Sequence, residues 1–390
     1  MKKRIVRYIK HITLTFLVLL SAATMVGLYH GAAISYGHNP KRIVFDGEGP
    51  YVFYQNDSTV QVNYLRGTKE EGFYVDYKNY PATSAIAAKS YFALDDSFFE
   101  FTLEPTPEIP PAITADEEDI MAISDIESGY KTFRDFLIAN QVIDAQLNWT
   151  YGKGHLVLVG DFVDRGFSTT QVLWFIYALE QQAKKQGGQV HFILGNHELK
   201  NMYGDYGAAA LKYTFVASML GKTQANLYDR SSFIGRWLAT KNVIESINGN
   251  LFAHGGLHPE IASLNMSLPA LNNFLRQTYY RAPYPKKEAK ATDVLRSSKT
   301  GIAWYRGYFK EDLTQEQVEK PITKYGAKAI VVGHTLQAKI KSHYHGKVIG
   351  IDVKHPKDYH KNWPNKKSEG LRISQGKYYR VLANGTQIAL

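Results

Sequence analysis

The sequence predicts an α/β fold for most of the chain, and three observations support that prediction. From residue 120 onward, short apolar runs alternate with longer amphipathic stretches, as expected for buried strands joined by helices. Clusters rich in Asp, His and Gly follow those apolar runs, which is common where strands end in such sheets. The composition is that of a folded globular protein, because 44% of the residues are hydrophobic and 21% are charged.

The individual elements follow from the same patterns. Strands are expected at 120–124, 156–159, 190–194, 251–253, 329–332 and 348–351. Helices are expected near 130–139, 169–185 and 231–239. A hairpin is expected over 378–390, since its central pair Asn384-Gly385 tolerates the positive φ angles of a two-residue turn.

The first forty residues have the pattern of a secretory signal or a membrane anchor. Residues 1–10 are basic, and residues 12–28 are almost wholly apolar. A spanning helix needs about 20 apolar residues, which this stretch reaches if it extends to Ala33. The small residues at 21–23 and 31–33 are two possible cleavage sites, so a cleaved signal and a retained anchor both stay open. Either one predicts a protein of the cell envelope, periplasmic or membrane-anchored, with its body outside the cytoplasm.

A small β-rich appendage is expected between this segment and the α/β region. The runs 51–54 and 60–64 flank Asn56-Asp57, a turn pair, and predict a hairpin. Further aromatic-rich runs lie at 73–75 and 98–101, and a proline-rich linker follows them. The predicted organisation is a signal or anchor at 1–40, an appendage with its linker at 41–115, and a catalytic domain at 116–390.

Composition excludes several kinds of chemistry. The chain has no cysteine, so disulfides, thiolate metal ligands and a cysteine nucleophile are ruled out. The net charge is +10, but Lys2, Lys3, Arg4, Arg7 and Lys10 supply half of that surplus. The remaining basic residues are spread along the chain rather than clustered, and no nucleic-acid partner is expected.

Five polar clusters stand at or just after predicted strand ends. They are SDIE at 124–127, GDFVDRG at 160–166, GNHE at 195–198, HGG at 254–256 and GHT at 333–335. In an open α/β sheet, side chains just beyond the strand ends converge on one crevice. Taken singly, each Asp or His would more often be a turn or surface residue. Five clusters together favour one shared site.

The residue types in these clusters are those of a metal site. The possible ligands are Asp125, Glu127, Asp161, Asn196, His254 and His334. Carboxylate and amide oxygens together with imidazole nitrogens suit two divalent cations that share a bridging carboxylate. The sequence therefore predicts two metal ions, with Mn favoured among Mn, Mg, Fe and Zn.

The order of the motifs resembles that of the calcineurin-like metallophosphoesterase superfamily. GDFVDRG and GNHE are similar to the phosphoprotein phosphatase branch. HGGLHP at 254–259 and VVGHTLQ at 331–337, with Trp304-Tyr305-Arg306-Gly307 between them, resemble the bacterial, Shewanella-like members. The resemblance covers residues 120–355. It implies a four-layer αββα sandwich of two mixed sheets, with the helices outside.

The resemblance also implies a role for each matching residue. Asp161 would bridge both metals, Asp125 would join it at the first metal, and Asn196, His254 and His334 would hold the second. His197 would be the general acid, oriented by Asp164. Arg165 would bind the phosphoryl oxygens, and Arg306 would be a second clamp.

One residue departs from the family pattern. The family's first motif ends in a histidine that binds the first metal, whereas this chain has Glu127. Glu127 is expected to replace that histidine as a ligand. Two alternatives stay open: a weakened first site, or lost catalysis that leaves a phosphate-binding module.

The function expected is hydrolysis of phosphomonoesters, on a phosphoprotein or a small phosphate ester, by attack of a metal-bridging hydroxide. A phosphodiesterase or dinucleotide polyphosphate hydrolase is the alternative among enzymes. A catalytically lapsed envelope-binding protein is the alternative of another class. An uncleaved N-terminal segment would add the membrane as a partner.

Overall fold

The computed structural model describes residues 2–29, 32–38, 41, 44–284, 288, 290–365 and 367–390. The predicted boundary after residue 40 lies beside positions outside those described. The helices are α1 Lys2–Tyr29, α2 Tyr130–Ala139, α3 Thr169–Lys185, α4 Asn196–Met202, α5 Leu211–Met219, α6 Phe233–Leu238, α7 Leu268–Arg276, α8 Gly307–Lys310 and α9 Gln315–Lys324. Short 3₁₀ helices span Gln224–Leu227, Pro259–Ser263 and Ala291–Leu295.

The strands include the six predicted in the α/β region, each to within one residue at either end. They are β1 Ile34–Tyr36, β2 Glu48–Tyr54, β3 Thr59–Thr68, β4 Gly72–Pro81, β5 Ile86–Phe92, β6 Ser97–Leu103, β7 Ile113–Thr114, β8 Ile120–Ile123, β9 His155–Val159, β10 Gln189–Ile193, β11 Ile244–Ile247, β12 Asn250–Ala253, β13 Ala329–Val332, β14 Lys341–His343, β15 Val348–Gly350, β16 Lys361–Trp363, β17 Glu369–Ser374, β18 Lys377–Leu382 and β19 Gln387–Ala389. The closing hairpin is confirmed, with β18 and β19 antiparallel.

Among the described residues, two six-stranded mixed sheets form the centre of the fold. One has the order β10-β9-β8-β17-β18-β19, and the other has the order β14-β15-β13-β12-β11-β7. In the first sheet β10, β9 and β8 are parallel, and in the second β12, β13 and β15 are parallel. The α/β class with mixed sheets is therefore confirmed.

The core between the sheets shows why these strands read as continuous apolar runs. Ile120 and Ala122 of β8 share one buried cluster with Phe252 and Val331 of the second sheet. The alternate residues of β8, Met121 and Ile123, belong to a different cluster that contains buried residues of α2 and α3. Because successive side chains of a strand point to opposite faces, β8 is buried on both sides and needs apolar residues throughout.

The appendage strands pack directly against the catalytic region. β2, β3 and β4 form one sheet, and β5 pairs with β6. Trp174 of α3 donates its indole N–H to the Pro50 carbonyl at 2.8 Å and stacks on Phe101. Glu48 and Lys212 form a buried ion pair at 2.8 Å. The strands of this segment therefore share buried contacts with α3 and α5, and the predicted domain limits remain a prediction.

The N-terminal helix α1 is long and apolar enough to cross a membrane, and none of its residues is buried against the protein. A secretory signal has the same length and composition, so the helix supports either expectation. Shortly after it, β1 pairs antiparallel with β16, a strand near the end of the chain.

Candidate functional site

The predicted site residues follow strands of both central sheets. Asp125 follows β8, Asp161 follows β9, and Asn196 follows β10 in the first sheet. His254 follows β12 and His334 follows β13 in the second sheet. Since the carboxyl ends of neighbouring parallel strands meet at one edge, the side chains reach a common crevice.

Backbone conformations at this edge are unusual for residues with side chains. Asp125, Asp161 and His334 have φ angles of 55°, 58° and 62°. Such left-handed conformations cost about 1–3 kcal/mol each and cluster at functional sites. The surrounding fold must therefore hold these residues in place, which fixes the direction of their side chains.

Glycines in the motifs make room for the polar groups. A Cβ on Gly160 would lie 2.6 Å from Nδ1 of His254, and one on Gly333 would lie 2.6 Å from Oδ2 of Asp125. No side chain fits at those distances. The motif glycines are thus required by the close approach of these polar side chains.

Asp161, His254 and His334 form the part of the site best arranged for a metal ion. One potential ligand atom from each lies within 4.8 Å of the others, and all three side chains are buried. Nδ1 of His254 lies 2.7 Å from the Val159 carbonyl, to which it can only donate. With Nδ1 engaged in this way, Nε2 is the nitrogen that faces Asp161 and Asn196, at 3.1 and 3.2 Å, and it is the atom that could bind a metal ion in place of its proton. The donor set fits a divalent cation bound by imidazole nitrogen and carboxylate and amide oxygen.

Electrostatics in this cluster favour a cation. Burial disfavours charge on both groups, but the attraction between them prevails. The pKa of Asp161 is lowered by the adjacent His254, and the carboxylates of Asp161 and Asp125 raise the pKa of His254 to about 10. Burial, reinforced by His254 and Arg306, lowers the pKa of His334 to about 2, so that imidazole is neutral and able to bind a metal.

Asp125 and Asp352 supply a second group of oxygens. Asp125 is 8% exposed, and its Oδ2 accepts a hydrogen bond from the backbone N–H of His334 at 3.2 Å. Asp352, which follows β15, is 7% exposed and lines the same cavity. Burial, together with the carboxylates of Asp161 and Glu127, raises the pKa of Asp352 to about 7.

Sequence reasoning missed Asp352, although its signal was present. The predicted strand 348–351 is followed at once by this carboxylate, in the same way as the other clusters follow theirs. It was missed because it stands outside any of the recognised motifs.

Glu127 lies in the crevice but is engaged by cations. Its Oε1 is bonded to Nη1 of Arg165, and its Oε2 lies 3.0 Å from Nζ of Lys357. The metal-ligand role of Glu127 stays a prediction, and in this structure its carboxylate neutralises two basic side chains.

His197 is held in a fixed orientation by Asp164. Nδ1 of His197 lies 2.6 Å from Oδ2 of Asp164, whose Oδ1 accepts a hydrogen bond from Asn201 at 2.8 Å. Burial alone would lower the pKa of His197, but the bond to Asp164 and the charges of Asp161 and Asp164 raise it. Asn201 was not predicted, because it stands one turn beyond the GNHE motif.

Two arginines border the site. Nη2 of Arg165 lies 3.0 Å from Nε2 of His197. Nη1 of Arg306 donates to the backbone carbonyl of His334, and its Nη2 lies 3.4 Å from Nδ1 of the same residue. Both guanidinium groups line the cavity, so both predicted clamps reach the crevice.

Glu198 connects two of the motifs from the inside. It is fully buried, and its carboxylate accepts backbone N–H bonds from Gly195, Asp161 and Phe162 at 2.8–2.9 Å. A carboxylate that accepts several backbone bonds fixes the loops that carry them. The final Glu of GNHE therefore positions the GDFVDRG loop.

His197, His334, Arg165 and Arg306 open onto one cavity of about 450 Å³. Its lining combines the carboxylates Asp125, Glu127, Asp161 and Asp352 with basic and imidazole groups. The lining residues are Asp125, Ile126, Glu127, Ser128, Gly129, Asp161, Arg165, His197, Arg306, His334, Leu336, Asp352, Val353, Lys354, His355, Pro356, Lys357, Asp358 and Tyr359. A cavity with paired acids, arginines and a held histidine suits an anionic substrate bound through metal ions.

Comparisons with known proteins agree with this chemistry. Residues 119–338 match the family described as calcineurin-like phosphoesterase. An uncharacterized protein of Schizosaccharomyces pombe is 30% identical over 252 residues, which are 60% of this chain and 72% of that protein. Shewanella-like protein phosphatase 1 of Plasmodium berghei is 28% identical over 230 residues, 56% of this chain and 61% of its own length.

A solved structure extends the similarity to the appendage. The cold-active protein-tyrosine phosphatase of a psychrophilic Shewanella species superposes with a TM-score of 0.76 at 28% identity. The match covers 88% of this chain and 99% of that one. Because the family match spans more than half of the chain, and the fold and the polar crevice agree with it, the chain belongs to the calcineurin-like phosphoesterase family and is a metal-dependent phosphoesterase.

Proposed function

We propose that this enzyme hydrolyses phosphate monoesters, with two divalent metal ions bound among the strand-end residues. The observation that carries the proposal is the arrangement of one cavity. The Asp161, His254 and His334 cluster lines or borders it, together with the His197–Asp164 pair and two guanidinium groups. A phosphate group bound there would meet cations and a proton donor at the same time.

The metal ions would be held by the residues predicted from the sequence. Asn196, His254 and His334 would bind one ion, Asp125 and Glu127 would bind the other, and Asp161 would bridge them. Mn²⁺ or Mg²⁺ is favoured at the oxygen-rich part of the site, because carboxylates suit these ions better than imidazoles do. When bound, the ions supply Lewis acidity at the phosphoryl oxygens and lower the pKa of water.

His197 is proposed as the general acid. Because a guanidinium group has no acceptor, the contact with Arg165 requires Nε2 of His197 to accept, with the proton on Nδ1. When Arg165 turns to a substrate phosphate, Nε2 is released, takes a proton from solvent and can then donate that proton to the leaving oxygen. Asp164 keeps the ring in place and stabilises its cationic form.

Arg165 and Arg306 are proposed to bind the phosphoryl oxygens. Both line the cavity, and the side chain of Arg165 is 49% exposed, so it can change partners. Two guanidinium groups favour a dianionic monoester over a monoanionic diester, since a planar fork binds two phosphate oxygens at once. The natural substrate would be a phosphorylated protein or a smaller phosphate ester.

The location proposed is the cell envelope, outside the cytoplasm. The support is α1, with basic residues before its apolar stretch. Fractionation of cells should place the catalytic region in a membrane or soluble envelope fraction, and full-length protein in the cytoplasm would contradict this.

Turnover of p-nitrophenyl phosphate and its bis ester, with and without added Mn²⁺, tests the proposed activity. We expect the monoester to be the better substrate, with activity that is lost in EDTA and restored by Mn²⁺. Preference for the bis ester would contradict the monoesterase assignment, and absence of turnover on both esters would indicate a lapsed enzyme.

A further inference from the structure

The chain segment that follows α1 lies against the rim of the catalytic cavity. β1 pairs with β16 in the register Ile34 to Trp363 and Tyr36 to Lys361. At Gly37, a Cβ would lie 3.5 Å from the backbone oxygen of Tyr359. Tyr359 lines the catalytic cavity, and its hydroxyl donates to the Arg165 carbonyl at 3.3 Å. Gly37, shortly after β1, therefore lies directly beside Tyr359, a residue of the cavity wall.

This contact keeps the cavity close to the end of the apolar helix. Gly37 lies eight positions after Tyr29, and eight extended residues span at most about 28 Å. The actual path is shorter, because the Ala32 N–H bonds back to the Gly27 carbonyl at 2.8 Å. The mouth of the cavity therefore lies within about one bilayer leaflet and headgroup layer of the helix end.

A second cavity connects the helix end with the catalytic one. Leu28 and Ala33 line a cavity of about 570 Å³ that also contacts Leu336, Val353 and Lys354. The latter three residues line the catalytic cavity as well. The two cavities therefore share a wall, and the catalytic cavity lies on the side of the protein where α1 emerges.

The surface around this wall is apolar and basic. We call it the tether face and define it by its exposed residues Ile34, Tyr36, Leu336, Lys354, Lys361, Trp363 and Lys367. Its apolar side chains are highly exposed to solvent: Ile34 is 64%, Leu336 is 61% and Trp363 is 54% exposed. The carboxylates nearest in sequence do not add to this surface: Asp352 is buried in the catalytic cavity, Asp358 accepts from backbone amides of α2, and Glu369 pairs with Arg380.

Such a surface has the chemistry of a membrane interface. Tyr and Trp are enriched at the headgroup level, where one part of the ring is apolar and the other is wet. Lysine side chains are attracted to the surface of an anionic leaflet. Leu336 and Lys354 belong both to this surface and to the cavity lining, so an apolar and basic rim continues into the active site.

We propose that the tether face rests on the lipid surface and that the substrate is a phosphate monoester carried by a membrane lipid. The proposal rests on the monoesterase activity proposed above. The oxygen of water bonds to phosphorus and gives up a proton to solvent, the P–O bond to the lipid alcohol breaks, and the leaving oxygen takes a proton from His197, which regains one from solvent. The products are the lipid alcohol and inorganic phosphate. A lipid phosphate lies at the headgroup level, which is also where the apolar and basic rim places the cavity mouth.

The test uses the full chain reconstituted in phosphatidylcholine vesicles that contain phosphatidate, with Mn²⁺ present. Phosphate release from phosphatidate is compared with turnover of p-nitrophenyl phosphate by the same preparation. The variant is Ile34→Ser combined with Trp363→Ser, which changes two cross-strand partners of the tether face. Its matched control is Tyr74→Ser combined with Phe215→Ser, which removes similarly exposed rings from β4 and α5.

We expect phosphatidate hydrolysis by the parent, and a loss of at least about tenfold in the tether-face variant, equivalent to 1.4 kcal/mol. Turnover of p-nitrophenyl phosphate should be unchanged in both variants, which also shows that they fold. Equal phosphatidate rates in parent and variant would overturn the role of the tether face.

Two further results distinguish this proposal from the one on which it rests. Turnover of p-nitrophenyl phosphate without any release from phosphatidate would overturn the lipid substrate and leave the monoesterase activity intact. Faster turnover of a phosphopeptide than of phosphatidate, insensitive to the tether-face variant, would assign the enzyme to phosphoprotein substrates. Inactivity on every monoester would contradict both proposals.

Discussion

The two sides of the catalytic crevice differ in how their donor atoms are prepared for a metal ion. On the side of β12 and β13, Nδ1 of His254 is bonded to a backbone carbonyl, and burial lowers the pKa of His334. On the side of β8 and β15, burial raises the pKa of Asp125 well above its usual range, reinforced by Asp352 and Asp161. One side holds the neutral imidazole of His334 and the oriented imidazole of His254, and the other holds carboxylates that repel one another.

This difference implies that the two proposed metal ions are bound with different affinities. Imidazoles fixed by backbone hydrogen bonds need little rearrangement to bind a cation. Carboxylates that repel one another need the cation to offset their charge, and Glu127 must in addition leave Arg165 and Lys357. The imidazole side should therefore keep its metal when the carboxylate side loses its own.

Replacing His254 by Ala should have the largest effect. A bound metal contributes several kcal/mol of charge stabilisation, so kcat/KM should fall about 10³-fold or more. Metal analysis of the purified variant should find at least one ion fewer per chain than in the parent. The control is His345→Ala, in an exposed turn. Full metal content in His254→Ala would remove this residue from the ligand set.

His197→Asn should have the next largest effect, and it should depend on the leaving group. Loss of a general acid lowers the rate on alkyl phosphates by about 10²–10³-fold. Activated aryl phosphates need less protonation, so their turnover should fall much less. Metal content should stay the same, in contrast to His254→Ala. An equal loss on alkyl and aryl substrates would contradict the general-acid role.

Arg165→Ala should have an intermediate effect. A hydrogen bond to a charged group contributes about 1.5–3 kcal/mol, so kcat/KM should fall about 10- to 100-fold. Inhibition by inorganic phosphate should weaken in parallel, which the exposed control Arg281→Ala should not show. If phosphate inhibition is unchanged in the folded variant, Arg165 serves to pair with Glu127 and does not bind the phosphoryl group.

The comparison also separates what sequence can predict from what it cannot. The residues proposed as ligands on the imidazole side each follow a glycine or an apolar run, so local pattern was enough to predict that Asn196, His254 and His334 lie at strand ends. The partners of Glu127 were not found, because Lys357 is 230 residues away along the chain. The pairing of β1 with β16 was missed for the same reason: Ile34 and Trp363 are brought together by the whole fold. Asp352 was a local signal that lacked a motif to mark it.

Substitution of Glu127 should have the smallest effect on kcat/KM, and it tests most directly whether the carboxylate side binds a metal ion. If Glu127 binds the first metal, Glu127→Ala should lower metal occupancy while kcat/KM falls only a few fold, about 1 kcal/mol. Asp352→Asn is its matched comparison, since it removes a second carboxylate from the same cavity without deleting volume.

Glu127→His then tests the chemistry of the site. Imidazole suits Zn²⁺ and Fe, whereas an all-oxygen site suits Mn²⁺ and Mg²⁺. The His variant should therefore bind Zn²⁺ more tightly than the parent, as measured by calorimetry on the metal-free protein. The control for adventitious Zn²⁺ binding is Glu316→His, at an exposed position on α9.

Full metal content and full activity in Glu127→Ala would show that Glu127 only neutralises Arg165 and Lys357. In that case, Asp125, Asp161 and Asp352 would be left to bind the first ion. A loss of metal in Asp352→Asn, with none in Glu127→Ala, would identify Asp352 as the residue that replaces the missing histidine.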